Sequence, residues 1–303
     1  MKLNFDVVVL GGGVAGMTAA IYLKRSNKNV CIIEKSTPGG LINISSTIEN
    51  YPGYKKIQGP ELAYQMYEQV KGLDIPFNFT RVTEIKDNSE YKEVITDKGT
   101  ITCKKIIIAT GREAKKLMVE DVDKLTGKGV SYCALCDGTL YKGKDVAVVG
   151  AGNSALEETL YLSDICKKVY LIDRRDIIHG DDILVDKISK KNNIEILYNT
   201  EIKEFIKENE VLKKVKIIKD NNLEELEISA VFVFIGYKPA TEFLKNLGIT
   251  DDKGYIVCDH NYETKIKGIY AAGDVVYKNA FQIITAANDG ALAAVACIKE
   301  LEE

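Results

Sequence analysis

Residues 5–35 read FDVVVLGGGVAGMTAAIYLKRSNKNVCIIEK, a pattern that predicts a strand, a glycine-rich turn, a helix and a second strand. Gly11, Gly13 and Gly16 form G-x-G-x-x-G directly after the first strand, and Glu34 ends the second. The first glycine permits a tight turn, the second lets backbone approach a pyrophosphate, and the third lets helix and strand pack closely. An acid at the end of the second strand accepts hydrogen bonds from ribose hydroxyls. This stretch therefore predicts a dinucleotide site.

The same unit recurs 139 residues later in the chain. Residues 145–175 read DVAVVGAGNSALEETLYLSDICKKVYLIDRR and align with the first copy without a gap. Gly150 and Gly152 stand where the first copy has its first two glycines, and Asp173 stands where it has its acid. Two such units predict an α/β fold with two Rossmann-like dinucleotide-binding domains. The pair suggests a flavoprotein that has, or once had, a pyridine-nucleotide site.

The order of the remaining strands places the second domain inside the first. Apolar strands ending in glycine occur late in each copy, at KKIIIATG and AVFVFIGYKP. Residues 264–275 then give one more strand, followed by a helix of small residues. We therefore predict a split FAD-binding domain of residues 1–117 and 241–303 around an inserted nucleotide-binding-like domain of residues 118–240.

Composition and charge exclude several classes of protein. The formal net charge of −3 over 303 residues argues against a nucleic-acid partner. Seven scattered cysteines do not form the framework of a secreted disulfide-rich domain. The uncharged residues 7–23 fall short of the roughly 20 residues of a membrane span and contain the glycine turn. We therefore expect a cytoplasmic protein with no membrane partner.

Residues 131–140 read SYCALCDGTL and place Cys133 and Cys136 two residues apart, with Asp137 behind them. Such a pair serves as a redox dithiol, holds a metal or fills a core. Zinc would require a second cysteine pair or suitably spaced histidines, and neither of the two histidines has that spacing. A polar Asp-Gly turn follows at once, which disfavours a core position. The pattern favours a redox dithiol, and the other readings stay open.

Over its whole length the chain resembles the low-molecular-weight thioredoxin reductases. The resemblance rests on GGGVAG, PGGLINISSTIENYPG, IIIATG, CALCDG, GAGNSALEE and AAGDV, and is most specific at C-x-x-C-D-G before the second glycine motif. It implies FAD in the split domain, thioredoxin as partner and, commonly, a homodimer. It also implies that Cys136 faces the flavin, that Cys133 attacks the disulfide of thioredoxin, and that Asp137 carries the proton. No metal is implied.

The resemblance further implies where FAD binds, position by position. The residues implied at the pyrophosphate are Gly11, Gly13, Val14, Ala15 and Gly16. Those implied at the adenosine are Glu34, Lys35 and, through its backbone, Val82. Those implied along the ribityl chain, the flavin and the rest of the dinucleotide are Gly40, Leu41, Asn50, Thr110, Gly111, Gly273 and Asp274.

The second nucleotide motif departs from the family pattern H-R-R-x-x-x-R, whose arginines grip the 2′-phosphate of NADPH. Here Arg174 and Arg175 remain, but Asp173 replaces the histidine and His179 the last arginine. Losing one hydrogen bond to a charged group costs about 1.5–3 kcal/mol, or roughly 10- to 150-fold in affinity. By its register, Asp173 suits a free ribose hydroxyl, as in NADH binding. We interpret Gly150, Gly152, Asp173, Arg174 and Arg175 as a pyridine-nucleotide site that is either vestigial or still functional.

The predicted flavin surroundings also depart from the family. Leu41 stands where the family has glutamine, and Phe281 stands where an arginine precedes Gln282. We expect Phe281 and Gln282 beside the flavin ring. The hypothesis is that Phe281 stacks on the ring and occupies the face that a nicotinamide would use.

The electron donor is the least determined part of the prediction. One branch of the family takes electrons from ferredoxin and has lost residues of the NADPH-binding motif. This sequence resembles that branch, because its own arginine motif is incomplete. Residues 118–245 nevertheless carry a net charge of −4, without the basic excess that suits an acidic ferredoxin. We predict ferredoxin slightly ahead of NADPH and NADH. The alternatives are a flavin-dependent dithiol oxidase that passes electrons to oxygen and a redox-inert FAD-binding interaction module, which the intact dithiol disfavours.

Overall fold

The computed structural model describes residues 4–45 and 47–302. The strands in chain order are β1 (Phe5–Leu10), β2 (Val30–Glu34), β3 (Phe77–Phe79), β4 (Val82–Asp87), β5 (Lys92–Thr96), β6 (Gly99–Ile108), β7 (Arg112–Ala114), β8 (Val130–Ser131), β9 (Asp145–Val149), β10 (Lys168–Ile172), β11 (Ile194–Leu197), β12 (Thr200–Glu208), β13 (Val211–Lys219), β14 (Asn222–Glu227), β15 (Ala230–Val233), β16 (Tyr237–Pro239) and β17 (Ile269–Ala271). The α-helices are α1 (Val14–Arg25), α2 (Gly59–Lys71), α3 (Val122–Leu125), α4 (Ala134–Asp137), α5 (Asn153–Ser163), α6 (Asp182–Ser189) and α7 (Ile283–Glu302). None of the helices formed by these described residues is long and apolar enough to cross a membrane.

The chain forms two compact units. Unit 1 comprises Met1–Glu113 and Lys238–Glu303, and unit 2 comprises Ala114–Tyr237. The chain passes between them within β7 and β16, which pair with each other. The divisions lie four and three residues before the predicted boundaries, and each falls within one of these two short strands.

In unit 1, β1 lies inside a seven-stranded sheet, paired in parallel with β2 and β6. Its side chains alternate between two cores. Val7 and Val9 pack with α1, α2 and α7, whereas Val8 and Leu10 pack on the other face of the sheet. A parallel strand buried on both faces needs a continuous apolar run, and VVVL supplies it. The parallel register brings the carboxyl ends of β1 and β2 to one edge of the sheet.

The C-terminal segment completes the same sheet. Strand β17 pairs in parallel with β6, and α7 then packs on α1. A Cβ atom added at Gly290 of α7 would lie 2.2 Å from the carbonyl oxygen of Ala15, so the two backbones nearly touch. Ala293 and Ala294 are fully buried in the same core. The small residues of this helix therefore reflect close helix packing.

Unit 2 contains a parallel sheet in the order β11-β10-β9-β15-β8 and an antiparallel sheet β12-β13-β14. Strand β9 repeats the alternation of β1, with Val146 and Val148 on one face and Ala147 and Val149 on the other. The apolar run of residues 230–239 divides into two strands, because Gly236 takes a φ of +95° between them. Both units have the predicted Rossmann-like α/β organisation.

One buried carboxyl in unit 2 makes stability depend on pH. Glu158 on α5 is 8% exposed, and its Oε2 has no hydrogen-bond partner in the part of the chain that the structure describes. Burial, with a contribution from Glu157, raises the pKa of Glu158 from the ordinary 4.5 to about 7. The folded state thus holds a proton that the unfolded state releases. Stability falls as the pH rises from 4.5 to 7, and the loss stays constant above that range.

We expect Glu158→Gln to remove this loss. The gain should reach up to about 3 kcal/mol at pH 8 and fall to almost nothing near pH 4.5. Thermal unfolding midpoints at both pH values measure it, with Glu224→Gln, an exposed acid in the same unit, as control. A gain of equal size at both pH values would show that ionisation of Glu158 is not the cause.

Candidate active site

The first glycine turn in unit 1 has the geometry of a phosphate-binding turn. A Cβ atom on Gly11 would lie 2.3 Å from the carbonyl oxygen of Ala109 and 3.1 Å from Cα of Thr110. One on Gly16 would lie 1.9 Å from the carbonyl oxygen of Gly11, so α1 starts directly against the turn. Gly13 caps α1 without a side-chain hydrogen bond, and its own Cβ would meet nothing closer than 4.0 Å. The first N–H groups of α1 therefore face an open space suited to a pyrophosphate.

The carboxylate of Glu34 lies beside this turn. Its Oε2 accepts a hydrogen bond from the backbone N–H of Gly12 at 2.8 Å, and its Oε1 accepts one from that of Ser36 at 2.8 Å. Two backbone donors thus fix a buried carboxylate at the end of β2. Each carboxylate oxygen has more than one acceptor site, so ribose hydroxyls can still bind there.

Other predicted FAD residues converge on the start of α1. A Cβ atom on Gly40 would lie 3.5 Å from Cα of Gly13, and one on Gly273 would lie 2.7 Å from Cβ of Ala15. Gly40 and Leu41 begin a 3-10 helix beside the turn. Stretches far apart in sequence therefore form one cradle with room for a backbone-bound phosphate. This geometry fits the dinucleotide FAD.

On the predicted flavin side, the structure brings Asn50 and Gln282 together. Asn50 Nδ2 donates a hydrogen bond to Gln282 Oε1 at 3.1 Å. The Phe281 ring has the guanidinium of Arg112 over it, 3.8 Å from the ring centroid, and the Tyr255 ring stacked at 5.9 Å. These contacts are with protein, and stacking of Phe281 on the flavin stays a prediction.

The remaining predicted FAD residues lie in the same unit. Lys35 Nζ is 3.8 Å from Glu113 Oε2, and Val82 starts β4 opposite Thr96. Gly111 has a φ of +64°, a conformation that favours glycine. The roles of Lys35 and Val82 at the adenosine stay predictions.

Sequence reasoning missed two partly buried charge contacts in this unit. Arg112 Nη2 lies 3.1 Å from Asp274 Oδ2, which fixes the carboxylate predicted at the ribityl chain. Asp289 forms an ion pair with Lys278 and accepts a hydrogen bond from the N–H of Gly273 at 3.1 Å. Asp289 is the one acid among the alanines of α7, and an acid in such an apolar segment could have indicated a cationic partner.

The predicted dithiol is a disulfide in the structure. Cys133 and Cys136 are bonded, with their Cα atoms 5.3 Å apart. The backbone N–H of Cys136 donates a hydrogen bond to Cys133 Sγ at 3.0 Å. Cys136 is exposed and Cys133 is half-buried. Among residues 4–45 and 47–302, no three or more His, Cys, Asp or Glu side chains are grouped so that they could hold a metal ion.

A serine that the sequence analysis did not single out joins this disulfide to Asp137. Ser131 Oγ donates to Asp137 Oδ2 at 2.7 Å and accepts from the N–H of Cys133 at 3.1 Å. Ser131 is buried at the end of β8, which pairs with β15. The sheet therefore positions the carboxylate relative to the sulfurs. Serine is common in turns, so the sequence alone carried no signal for this role.

The five other cysteines differ from this pair in environment. Four are buried, and Cys258 is half-buried. Burial raises the pKa of Cys31, Cys103 and Cys297 to about 12 and that of Cys166 and Cys258 to about 11. Thiols with such pKa values stay protonated near pH 7 and react slowly.

The glycine turn of unit 2 repeats that of unit 1. A Cβ atom on Gly150 would lie 2.2 Å from the carbonyl oxygen of Phe234. Gly152 caps α5, and its Cβ would have no neighbour within 4 Å among the described residues. The N-terminus of α5 is therefore open in the same way as that of α1.

Asp173 directly follows β10, in the position that the repeat predicts. Arg175 donates to its carboxylate from Nε at 2.9 Å and from Nη2 at 3.1 Å. Burial alone would raise the pKa of Asp173, but the hydrogen bonds from Arg175 lower it below its usual range. Arg174 is exposed, and the N–H of His179 donates to the carbonyl oxygen of Ala151 at 2.9 Å. The carboxylate is thus charged and held by one of the two arginines.

Known proteins resemble this chain closely in sequence and structure. The family described as pyridine nucleotide-disulphide oxidoreductase matches residues 5–291. Thioredoxin reductase of Ureaplasma parvum is 44% identical over 96% of this chain and 95% of its own length. That of Bacillus subtilis is 40% identical over 99% of this chain and 96% of its own length. The crystal structure of Lactococcus lactis thioredoxin reductase matches with a TM-score of 0.91 at 38% identity, over 98% of each chain. The chain therefore belongs to the low-molecular-weight thioredoxin reductases, a family of FAD-dependent disulfide oxidoreductases.

Proposed function

We propose that the protein reduces the disulfide of a thioredoxin with two electrons from a reduced pyridine nucleotide, which pass through FAD and the Cys133–Cys136 disulfide. The observation that carries the proposal is the disulfide itself, joined to Asp137 through Ser131. A glycine turn open to a dinucleotide in each unit supports both the cofactor and the donor.

The chemistry of the dithiol follows from its contacts. When bound, FAD supplies two-electron transfer between a nicotinamide and a disulfide. Reduction breaks the Cys133–Cys136 bond, and the N–H of Cys136 then stabilises negative charge on Cys133 Sγ. The Cys133 thiolate attacks one sulfur of the thioredoxin disulfide and displaces the other, which takes a proton from Asp137. Cys136 then gives its thiol proton to the Asp137 carboxylate and attacks Cys133 Sγ. The displaced thioredoxin sulfur takes that proton, so reduced thioredoxin leaves and the intramolecular disulfide is restored.

The proposed donor differs from the predicted one. Ferredoxin, slightly favoured by the eroded arginine motif, is not confirmed. The family match to pyridine nucleotide-disulphide oxidoreductases and the open turn at α5 favour a pyridine nucleotide. The dithiol oxidase is likewise not favoured, since the relatives compared are thioredoxin reductases. The homodimer stays a prediction.

The test is anaerobic mixing of the FAD-loaded protein with NADH, NADPH or reduced ferredoxin in separate cells. We expect a pyridine nucleotide to bleach the flavin and oxidised thioredoxin to restore its colour. Bleaching by ferredoxin alone would contradict the proposed donor. Rapid oxygen uptake with a dithiol, without any donor, would favour the oxidase.

Asp137→Asn is expected to slow thioredoxin reduction by about 10²-fold or more, because a positioned proton donor contributes about 10²- to 10⁴-fold. Ser131→Ala removes the hydrogen bond that orients Asp137, and we expect a loss of roughly tenfold. Stopped-flow reoxidation of the flavin by thioredoxin between pH 6 and 9 measures both. If Ser131 acts through Asp137, adding Ser131→Ala to Asp137→Asn should cost little more. Additive losses would assign Ser131 a separate role, and the exposed Thr139→Ala is the control.

A further inference from the structure

The end of β10 carries an ion pair that bears on nucleotide selection. Asp173 is 6% exposed, and Arg175 binds its carboxylate through Nε, Nη2 and the backbone N–H. Sequence alone left Arg175 available to grip a 2′-phosphate. In the structure its guanidinium is already engaged in a two-pronged contact with a carboxylate. A phosphate would have to compete with that contact while facing the negative charge of Asp173.

The two units of the chain share the geometry of this acid. Glu34 Oε1 accepts from the N–H two residues later at 2.8 Å, and Asp173 Oδ1 does the same at 2.9 Å. The adjoining turns match as well, because Gly11 N donates to the carbonyl of Ile33 at 2.8 Å and Gly150 N to that of Ile172 at 2.9 Å. All these positions are related by the 139-residue repeat.

The dinucleotide of unit 1 has a free 2′-hydroxyl. FAD carries an adenosine ribose with both hydroxyls unmodified, and Glu34 is placed to accept from them. The same carboxylate position in unit 2 suits a ribose of the same kind. Asp173 accepts from hydroxyl groups, whereas a phosphate dianion at the 2′ position would meet like charge.

We propose that the nucleotide site of unit 2 selects NADH over NADPH, with Asp173 as the residue that accepts the 2′-hydroxyl and Arg175 as the residue that holds it. This inference rests on the proposed function, since it requires a pyridine nucleotide as donor. Arg175 then serves to hold the acid that accepts the ribose hydroxyl, rather than to bind a 2′-phosphate. A hydrogen bond to a charged group sets the discrimination at about 10- to 150-fold.

The test measures binding as well as turnover. Calorimetric titration of the FAD-loaded protein with NAD⁺ and NADP⁺ gives the affinity ratio, and flavin bleaching by NADH and NADPH gives the rate ratio. We expect both to favour the unphosphorylated nucleotide by about 10- to 150-fold. Asp173→Asn should reduce that preference at least about tenfold. The matched control is Asp176→Asn, an exposed acid in the same segment, which should leave the ratio unchanged.

A gain of binding separates selectivity from misfolding. Asp173→His combined with His179→Arg restores three cationic positions and should raise NADP⁺ affinity above that of the unmodified protein. Preference of the unmodified protein for NADPH, or an unchanged ratio in Asp173→Asn, would overturn the inference and leave the proposed function intact. Binding of neither nucleotide, with bleaching by ferredoxin, would overturn both.

Discussion

Replacing Cys136 with serine is expected to abolish thioredoxin reduction, lowering turnover by more than about 10³-fold. No intramolecular disulfide can form in that variant, so electrons on the flavin have no covalent route out of the protein. Bleaching of the flavin by the nucleotide should persist, because neither glycine turn contains a cysteine. Cys258→Ser, at a half-buried cysteine outside the pair, is the control and should keep turnover near that of the unmodified protein.

The same variant tests the roles of the two sulfurs. A thioredoxin with one active-site cysteine, activated as a mixed disulfide with a coloured aromatic thiol, reports attack by the remaining sulfur. We expect Cys136→Ser to release the coloured thiol quickly and to stay joined to thioredoxin, because the resolving sulfur is absent. Cys133→Ser should react slowly. The opposite order would mean that Cys136 is the attacking sulfur.

Substitutions at Gly13 and Gly16 are expected to remove FAD for different reasons. A Cβ atom on Gly16 would lie 1.9 Å from the carbonyl oxygen of Gly11, so Gly16→Ala must displace α1 from β1. Overpacking of this kind costs roughly 3 kcal/mol, equivalent to about 10 °C in the unfolding midpoint. Gly13→Ala meets no such contact and should fold normally. Its methyl group would occupy the space at the start of α1 where the pyrophosphate is expected.

The ratio of flavin to protein absorbance and the unfolding midpoint distinguish the two variants. Both should purify with little FAD, but only Gly16→Ala should also unfold well below the unmodified protein from which FAD has been removed. Gly152→Ala is the matched control, since it places the same methyl group at the start of α5 in the other unit. It should retain FAD and lose nucleotide binding. Full FAD in Gly13→Ala would place the pyrophosphate elsewhere.

The fold was predictable wherever backbone geometry restricts the residue type. Gly11, Gly16 and Gly150 stand where a Cβ atom would collide with a carbonyl oxygen. The repeated glycines were therefore enough to predict two dinucleotide-binding domains. The continuous apolar runs of the strands made the parallel sheets predictable, because such strands are buried on both faces. The exact domain boundaries were not predictable, because β7 and β16 are short strands without an apolar pattern.

The candidate site was predictable in its residues and less so in their partners. Cys133, Cys136 and Asp137 came from spacing and resemblance, but Ser131 was found only because β8 brings its hydroxyl 2.7 Å from the carboxylate. Arg175 shows the same limit. The sequence retained an arginine of the phosphate-binding pattern, and the structure shows that its guanidinium binds Asp173. A side chain's partner depends on packing that no local pattern records.

The late position of β17 and α7 has a consequence for synthesis on the ribosome. The chain is made from its N-terminus, so the whole of unit 2 is translated before β17 and α7. The dithiol unit can therefore fold while the sheet of unit 1 still lacks a strand. Gly273 and Gly290, which approach Ala15 at the start of α1, are translated after the whole of unit 2. Secure capture of the flavin thus waits until β17 and α7 have been translated.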